Sequence, residues 1–243
     1  MFSPNGIKTI LFDLDGTLRL NQPSGWQIFI GHALTLGLPI QPDDRLRGAR
    51  WEHQYWAGSA ELFDDLKLHT DNSPEFWHNY GRRQLLSLGV DEQRAGELAP
   101  LLSKYMEENY RPESVAAPAV EAVLKKLKEA GFRLGVVSNR DNPFVDELEK
   151  IGLSSYFEFS LAGGEVQMFK PEPGIFAVAL ERIGSAAHEA VYVGDNYYAD
   201  VVGARRAGLQ PVLYDPDGIY PEADCAVMES YEQFTEILMT IHR

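Results

Sequence analysis

The sequence predicts an α/β protein, a doubly wound parallel sheet with a wholly helical domain inserted into it. Three observations predict it. Short runs dense in Val, Ile, Leu and Phe recur along the chain, each followed by a turn and a helix-period segment. Several of these runs end in Asp, Ser or Gly-Asp. One long stretch between the first and second runs carries no strand pattern at all.

The strand-like runs are residues 7–14, 132–138, 190–194 and 211–214. The first three are nearly continuous in apolar residues, as strands buried on both faces require. Helices are expected between them. Residues 119–130 place Val120, Val123, Leu124 and Leu127 on one face and stop at Gly131. Residues 173–183 open after a proline pair and end before Gly184. Residues 200–207 begin on an acid and end before Gly208. From about residue 23 to 112 only amphipathic helical segments are found: 26–36, 47–56, 75–88 and 92–110. All four tryptophans, Trp26, Trp51, Trp56 and Trp77, fall there. A structureless loop of that length is implausible inside a compact domain, so the stretch reads as an insert. The expected division is 1–20 with 113–243 for the α/β core and 21–112 for the helical domain.

Composition narrows the function classes. Hydrophobic residues make up 44% and charged residues 24%, enough for an ordinary buried core. No window approaches eighteen apolar residues, which excludes a spanning helix. The net charge of −14 and pI near 4.8 disfavour nucleic acid and anionic lipid as partners. An anionic substrate therefore needs a local positive site. Cys225 is the single cysteine, so neither an intrachain disulfide nor a cysteine zinc site is possible; it reads as a core residue. The six histidines show no metal-ligand spacing. Residues 1–6 lack the pattern of a secretory leader, and the cytoplasm is the default expectation.

Four segments carry chemistry. The first strand runs into Asp13-Leu14-Asp15-Gly16-Thr17, which puts carboxylates at the ligand-binding edge of a parallel sheet. Two neighbouring carboxylates invite a cation, and Mg²⁺ suits oxygen ligands; the bland alternative is a polar Asp-Gly turn. The second strand ends in Ser138-Asn139-Arg140-Asp141, where a hydroxyl donates to phosphate or merely caps a turn. Lys170 lies in Lys170-Pro171-Glu172-Pro173, either a charge to neutralise an anion or an exposed loop residue. The last segment, Gly194-Asp195 with Asp200 five residues on, offers Asp195 as a metal ligand. Asp200 is then a partner of the metal site or a helix-favouring acid.

Taken in order, Asp13 and Asp15, Ser138, Lys170, and Asp195 with Asp200 resemble the four motifs of the haloacid dehalogenase superfamily, over roughly residues 7–20 and 113–230. The position of the insert resembles the helical cap of the phosphoglycolate-phosphatase-like branch. The resemblance implies a Rossmann-like core and a Mg²⁺-dependent phosphatase acting on a small phosphorylated metabolite. It implies Asp13 as nucleophile, through an aspartyl-phosphate, and Asp15 as general acid and base. It assigns the metal to Asp13, Asp15 (by its main-chain carbonyl), Asp195 and Asp200, and substrate contact to Ser138, Asn139 and Lys170. Asp15 separates this chain from the dehalogenase branch, whose leaving halide needs no proton. A phosphomutase of the same superfamily keeps both aspartates and stays open, as does a non-catalytic phosphate-binding module.

Arg45, Arg47 and Arg50 cluster beside Trp51, His53, Tyr55 and Trp56. Arg47 and Arg50 are candidates for binding a second polar group of the substrate; the alternative is a solvated helix surface over core aromatics. Arg19 is a comparable candidate. Neither the substrate nor the oligomeric state is legible in the sequence.

Overall fold

The apolar strand runs assemble into one six-stranded sheet. The computed structural model describes residues 6–70 and 73–240. The segment read above for a leader, apart from Gly6, and His242 lie outside the described residues. The strands are β1 (Thr9–Phe12), β2 (Arg19–Gln22), β3 (Glu113–Ala116), β4 (Arg133–Ser138), β5 (Phe159–Ala162), β6 (Ala190–Gly194), β7 (Gln210–Tyr214) and β8 (Ala226–Met228). The sheet order is β5-β4-β1-β6-β7-β8, and all five neighbouring pairs are parallel. β2 and β3 form a separate two-stranded ladder.

Connections from β1 proceed to β4 and β5 on one side, then return to β6 on the other. The carboxyl ends of β1 and β6 therefore flank the point where the winding reverses, the place where such sheets open a crevice for ligands. Register is set by burial. Ile10 and Phe12 face one apolar cluster and Leu11 faces the other, so every residue of β1 is enclosed.

The helices are α1 (Gly25–Thr35), α2 (Pro42–Trp56), α3 (Ala60–Leu68), α4 (Pro74–Ser87), α5 (Glu92–Asn109), α6 (Val120–Glu129), α7 (Val145–Lys150), α8 (Gly163–Val166), α9 (Pro173–Ile183), α10 (Val202–Arg206) and α11 (Phe234–Thr240). α6, α7 and α11 cover one face of the sheet; α9 and α10 cover the other. α6 buries Val120, Val123, Leu124 and Leu127, the stripe its periodicity predicts. It is followed by Gly131 at φ +89°, a left-handed stop that a Cβ would strain.

Three features differ from expectation. β2, β3, β5 and β8 escape sequence reading because three or four residues are too short to show a period. The helix expected over 200–207 is present as α10, but it starts earlier, through a π-turn over Tyr197–Val201. Cys225 is half-buried at the margin of a small cluster with Val201, Leu213 and Tyr220, not a core residue.

The chain divides into two units, Met1–Leu20 with Ser114–Arg243, and Asn21–Glu113. The second unit contains α1 to α5, and none of its described helices is long and apolar enough to cross a membrane. Its helix starts are capped by Ser24, Ser59, Ser73 and Asp91, each accepting a backbone N–H. Phe29, Ile30, Leu85, Leu98 and Leu102 fill its core.

Asp65 brings a charge into the interior of these helices. Asp65 on α3 is fully buried, accepting 2.9 Å from the Tyr55 hydroxyl and 2.8 Å from Arg83 Nη2. Removing the guanidinium strands that carboxylate. Arg83→Met is expected to lower unfolding free energy by about 3 kcal/mol, the low end for breaking a buried pair because Arg83 is partly exposed. Urea unfolding of the variant against the parent measures it, and Asp65→Asn in the same background should recover much of the loss.

Candidate functional site

Asp13 follows β1 directly, and its N–H donates 2.8 Å to the Val193 carbonyl, so β6 fixes its backbone. Asp195 follows β6. Asp200 lies on the π-turn, an extra residue per turn of the kind that often re-aims a side chain at a functional site. The turn is pinned by Asn196, whose side-chain oxygen accepts from the N–H groups of Tyr198 and Ala199, each at 3.0 Å. Asp200 Oδ2 in turn accepts from the Asn196 N–H at 2.9 Å.

These elements bring Asp13, Asp195 and Asp200 together, with a carboxylate oxygen of each within 4.8 Å of the others. Lys170 is the cation that reaches into the group. It is buried, and its ammonium donates 2.5 Å to Asp13 Oδ1 and 2.7 Å to Asp200 Oδ1. The Tyr192 ring lies 5.5 Å below it. Burial pushes the Asp13 carboxyl well above its ordinary range even with Lys170 beside it. Burial, then the charge of Asp200, raises Asp195 to about 7. Lys170 is raised too, since Asp13 and Asp200 outweigh the burial that would lower it. Three carboxylates share one ammonium, and the deficit of positive charge suits a divalent cation with oxygen ligands.

The backbone leaves room for this group at two glycines. A Cβ on Gly194 would stand 2.2 Å from Asp200 Oδ2, and one on Gly16 would stand 2.3 Å from Asp195 Oδ2. Gly16 also holds φ +84° in the turn after Asp15. Thr17 completes the wall by donating 3.1 Å to Asp195 Oδ1.

The predicted residues do not all gather there. The Asp15 carboxylate is not part of the carboxylate group. It accepts from Arg140 Nε and Nη2 at 2.7 and 2.9 Å, and from Arg19 Nη1 at 2.6 Å. Burial alone would raise its pKa, but the two guanidiniums, Arg140 above all, bring it below the ordinary value. Ser138 is buried at the end of β4. Asn139, expected to touch substrate, spends its amide on Lys170: Nδ2 donates 2.8 Å to the Lys170 carbonyl, and Oδ1 accepts 2.6 Å from the Lys170 N–H. It holds the lysine loop in place.

In the helical unit, Arg47 is occupied by Asp44 and by the Ser87 carbonyl, both at 2.8 Å, and so staples α2 to the end of α4. Arg50 is half-buried on the same helix. Trp51, Tyr55 and Trp56 pack around Tyr80, Tyr55 buried and Trp56 still partly exposed. Arg140 and Thr17 were assigned nothing from sequence. Their proximity to Ser138 and Asp15 in the chain was the one available signal.

The sequence matches the haloacid dehalogenase-like hydrolase family over residues 7–208. The chain belongs to that family. Among its relatives, a ribulose-1,5-bisphosphate 5-phosphatase of Halopiger xanaduensis is 31% identical, covering 85% of this chain and 84% of that protein. A phosphoglycolate phosphatase of Salmonella typhimurium is 30% identical, covering 96% and 91%. A crystal structure of 2-haloacid dehalogenase from Pseudomonas syringae shares the fold with a TM-score of 0.54 at 26% identity, covering 96% and 99%. The chain is accordingly a hydrolase, of the phosphoric monoester class that its phosphatase relatives share.

The charge imbalance yields a pH prediction for metal-free protein. The Asp195 carboxyl sits at about 7 when folded, against 3.8 for an ordinary aspartate. Between those values the folded state holds more protons than the unfolded, so this group's contribution to stability falls as pH rises through that window. A divalent cation replaces the protons. The rise in melting temperature on adding Mg²⁺ should therefore be small near about pH 5 and grow towards about pH 8. A rise that is constant with pH, read by calorimetry with and without chelator, would contradict it.

Proposed function

We propose that the protein is a Mg²⁺-dependent phosphatase of small phosphorylated metabolites, working through an aspartyl-phosphate on Asp13. The observation that carries the reading is the meeting of Asp13, Asp195 and Asp200 around Lys170 at the carboxyl edge of the sheet. Asp13, Asp195 and Asp200 would hold the ion, with the Asp15 main-chain carbonyl as a further ligand. When bound, Mg²⁺ supplies positive charge that screens a carboxylate from a phosphate dianion.

The chain's own groups account for the rest. An oxygen of Asp13 attacks phosphorus as the ester P–O bond breaks, and the leaving oxygen takes a proton from Asp15. Water then attacks the aspartyl-phosphate, gives its proton to Asp15, and inorganic phosphate leaves. Lys170 neutralises the transferring oxygens and restrains Asp13, while Ser138 donates to one of those oxygens. Asn139 acts through Lys170, by keeping its loop seated.

Asp15 begins this cycle as a carboxylate held by Arg140 and Arg19. That form suits the base of the second step. For the first step it must take up a proton and turn from the guanidiniums. Arg47 and Arg50 remain candidates for recognising the rest of the substrate, Arg47 from a position where Asp44 and Ser87 engage it. Relatives acting on ribulose-1,5-bisphosphate and on phosphoglycolate are about equally similar, so the substrate is left at the level of a small phosphorylated metabolite. A cytoplasmic site of action accords with such a substrate.

Phosphate release from a panel of phosphorylated metabolites tests the reading. Release should require Mg²⁺ and vanish in Asp13→Asn, while Asp15→Asn loses about 10²–10⁴-fold, the usual worth of a placed general acid. Metal-independent release, or full activity in Asp13→Asn, would overturn it.

A second expectation concerns the clamp on Asp15. Arg140→Gln removes the main influence that lowers the Asp15 pKa. The group then keeps its proton to higher pH, so the alkaline limb of the kcat/KM profile should move upward. A downward shift, or an unmoved profile with only KM changed, would instead make Arg140 a substrate-binding group.

A further inference from the structure

The helical unit forms a partly open cavity of about 580 Å³, walled by α1, α2, α4 and α5 and the residues just after α5. That volume falls in the range of sites for small organic ligands. All of its lining residues lie within Asn21–Glu113, so the cavity belongs to this unit alone.

Three rings converge on it. Trp56 and Tyr80 have centroids 5.4 Å apart, Trp77 and Tyr80 5.7 Å, and Trp56 and Trp77 6.4 Å. The Trp77 and Tyr80 planes are nearly perpendicular, at 89°. Both indoles remain 39% exposed, although aromatic rings in such a cluster are ordinarily packed away.

A carboxylate stands among them. Glu52 Oε1 accepts 2.6 Å from the Tyr80 hydroxyl, whose oxygen accepts 3.0 Å from Trp56 Nε1. Among the described residues no lysine or arginine forms an ion pair with Glu52, and burial raises its pKa against the opposing Tyr80 bond. A half-buried carboxylate whose partners are a neutral hydroxyl and the neighbouring His53 gains from a cation beside it. The guanidinium that also lines the cavity, Arg111, is turned to backbone: Nη1 donates 2.8 Å to each of the Glu107 and Tyr110 carbonyls. The chain's net charge of −14 favours cations at long range.

We propose that this cavity binds an organic cation, an ammonium on a small alkyl or aromatic body, seated on the rings of Trp56, Trp77 and Tyr80 with Glu52 as its counter-charge. Ring faces and a carboxylate together recognise such a group, since the rings attract positive charge and tolerate its apolar methyls. Occupancy of the site is read by binding alone.

The test uses the full-length protein, with tryptophan fluorescence and calorimetry as readouts. The probes are choline, its neutral isostere 3,3-dimethylbutan-1-ol, and benzyltrimethylammonium. At least one of the two cations should bind saturably, and choline should bind roughly tenfold or more tightly than its isostere. Glu52→Gln, which keeps the side-chain volume and an acceptor for Tyr80, should erase most of that preference. Trp77→Leu should weaken all probes. Equal binding of choline and its isostere, or no saturable binding by either cation, overturns the proposal. Should Glu52→Gln fail to fold, the comparison of choline with its isostere on the parent protein decides alone.

Discussion

Three carboxylates held within reach of one another, with a single buried ammonium between two of them, form the constraint around which the larger unit is arranged. Like charges in a low-dielectric setting repel strongly, so the cluster persists only because its backbone leaves it little choice. β1 and β6 pair directly and project Asp13 and Asp195 from adjacent strand ends. The π-turn brings Asp200 back over Gly194, a position no side chain could share. Lys170 is delivered from a loop that Asn139 grips by both ends of its amide. Proton uptake or a bound cation then settles the remaining charge, and the raised carboxyls express that need.

A layer of partners around the reacting groups is as developed as the groups themselves. Thr17 orients Asp195, Asn139 seats Lys170, and Arg140 with Arg19 restrains Asp15. Tyr192 supports Lys170 from below and donates 2.9 Å to the Val137 carbonyl, tying the lysine's floor on β6 to β4 on the other side of β1. A placed first layer is only as accurate as the side chains that fix its rotamers. Here those side chains come from the turn after β1, from β2, from the segment after β4 and from β6.

The parallel sheet was legible because buried strands are apolar on both faces, and residues 190–194 and 132–138 could be read almost to the residue. The helices of the second unit were legible from their periodicity and capping residues. Asp13, Ser138, Lys170 and Asp195 stood out as candidates because each follows an apolar run or sits in a proline-framed turn, and Asp13, Lys170 and Asp195 come together in the fold. Hidden were the features that depend on three-dimensional pairing. Nothing local distinguishes Asp15 facing arginines from Asp15 facing the other aspartates, and an Asn beside a Ser gives no hint that it binds a lysine loop 31 residues away. The π-turn was equally invisible, since one extra residue in a turn leaves no trace in composition. Around Arg47 and the tryptophans of α2 the sequence left substrate contact and helix packing both open, and Arg47 joins α2 to α4 while Trp56 stays partly exposed.

The position of β1 at the sheet centre also governs when the molecule can form. Its partners lie far along the chain, with Thr9 paired to Arg133 on one side and to Ala190 on the other. A ribosome must therefore release most of the polypeptide before the first strand acquires either neighbour. The helical unit closes from residues contiguous in the chain, a low-separation topology that folds fast. It can be complete while β1 still waits as an unpaired apolar segment. Synthesis thus exposes an aggregation-prone strand for an interval set by the length of the insert, and guarding that strand is a task the surrounding cell must meet.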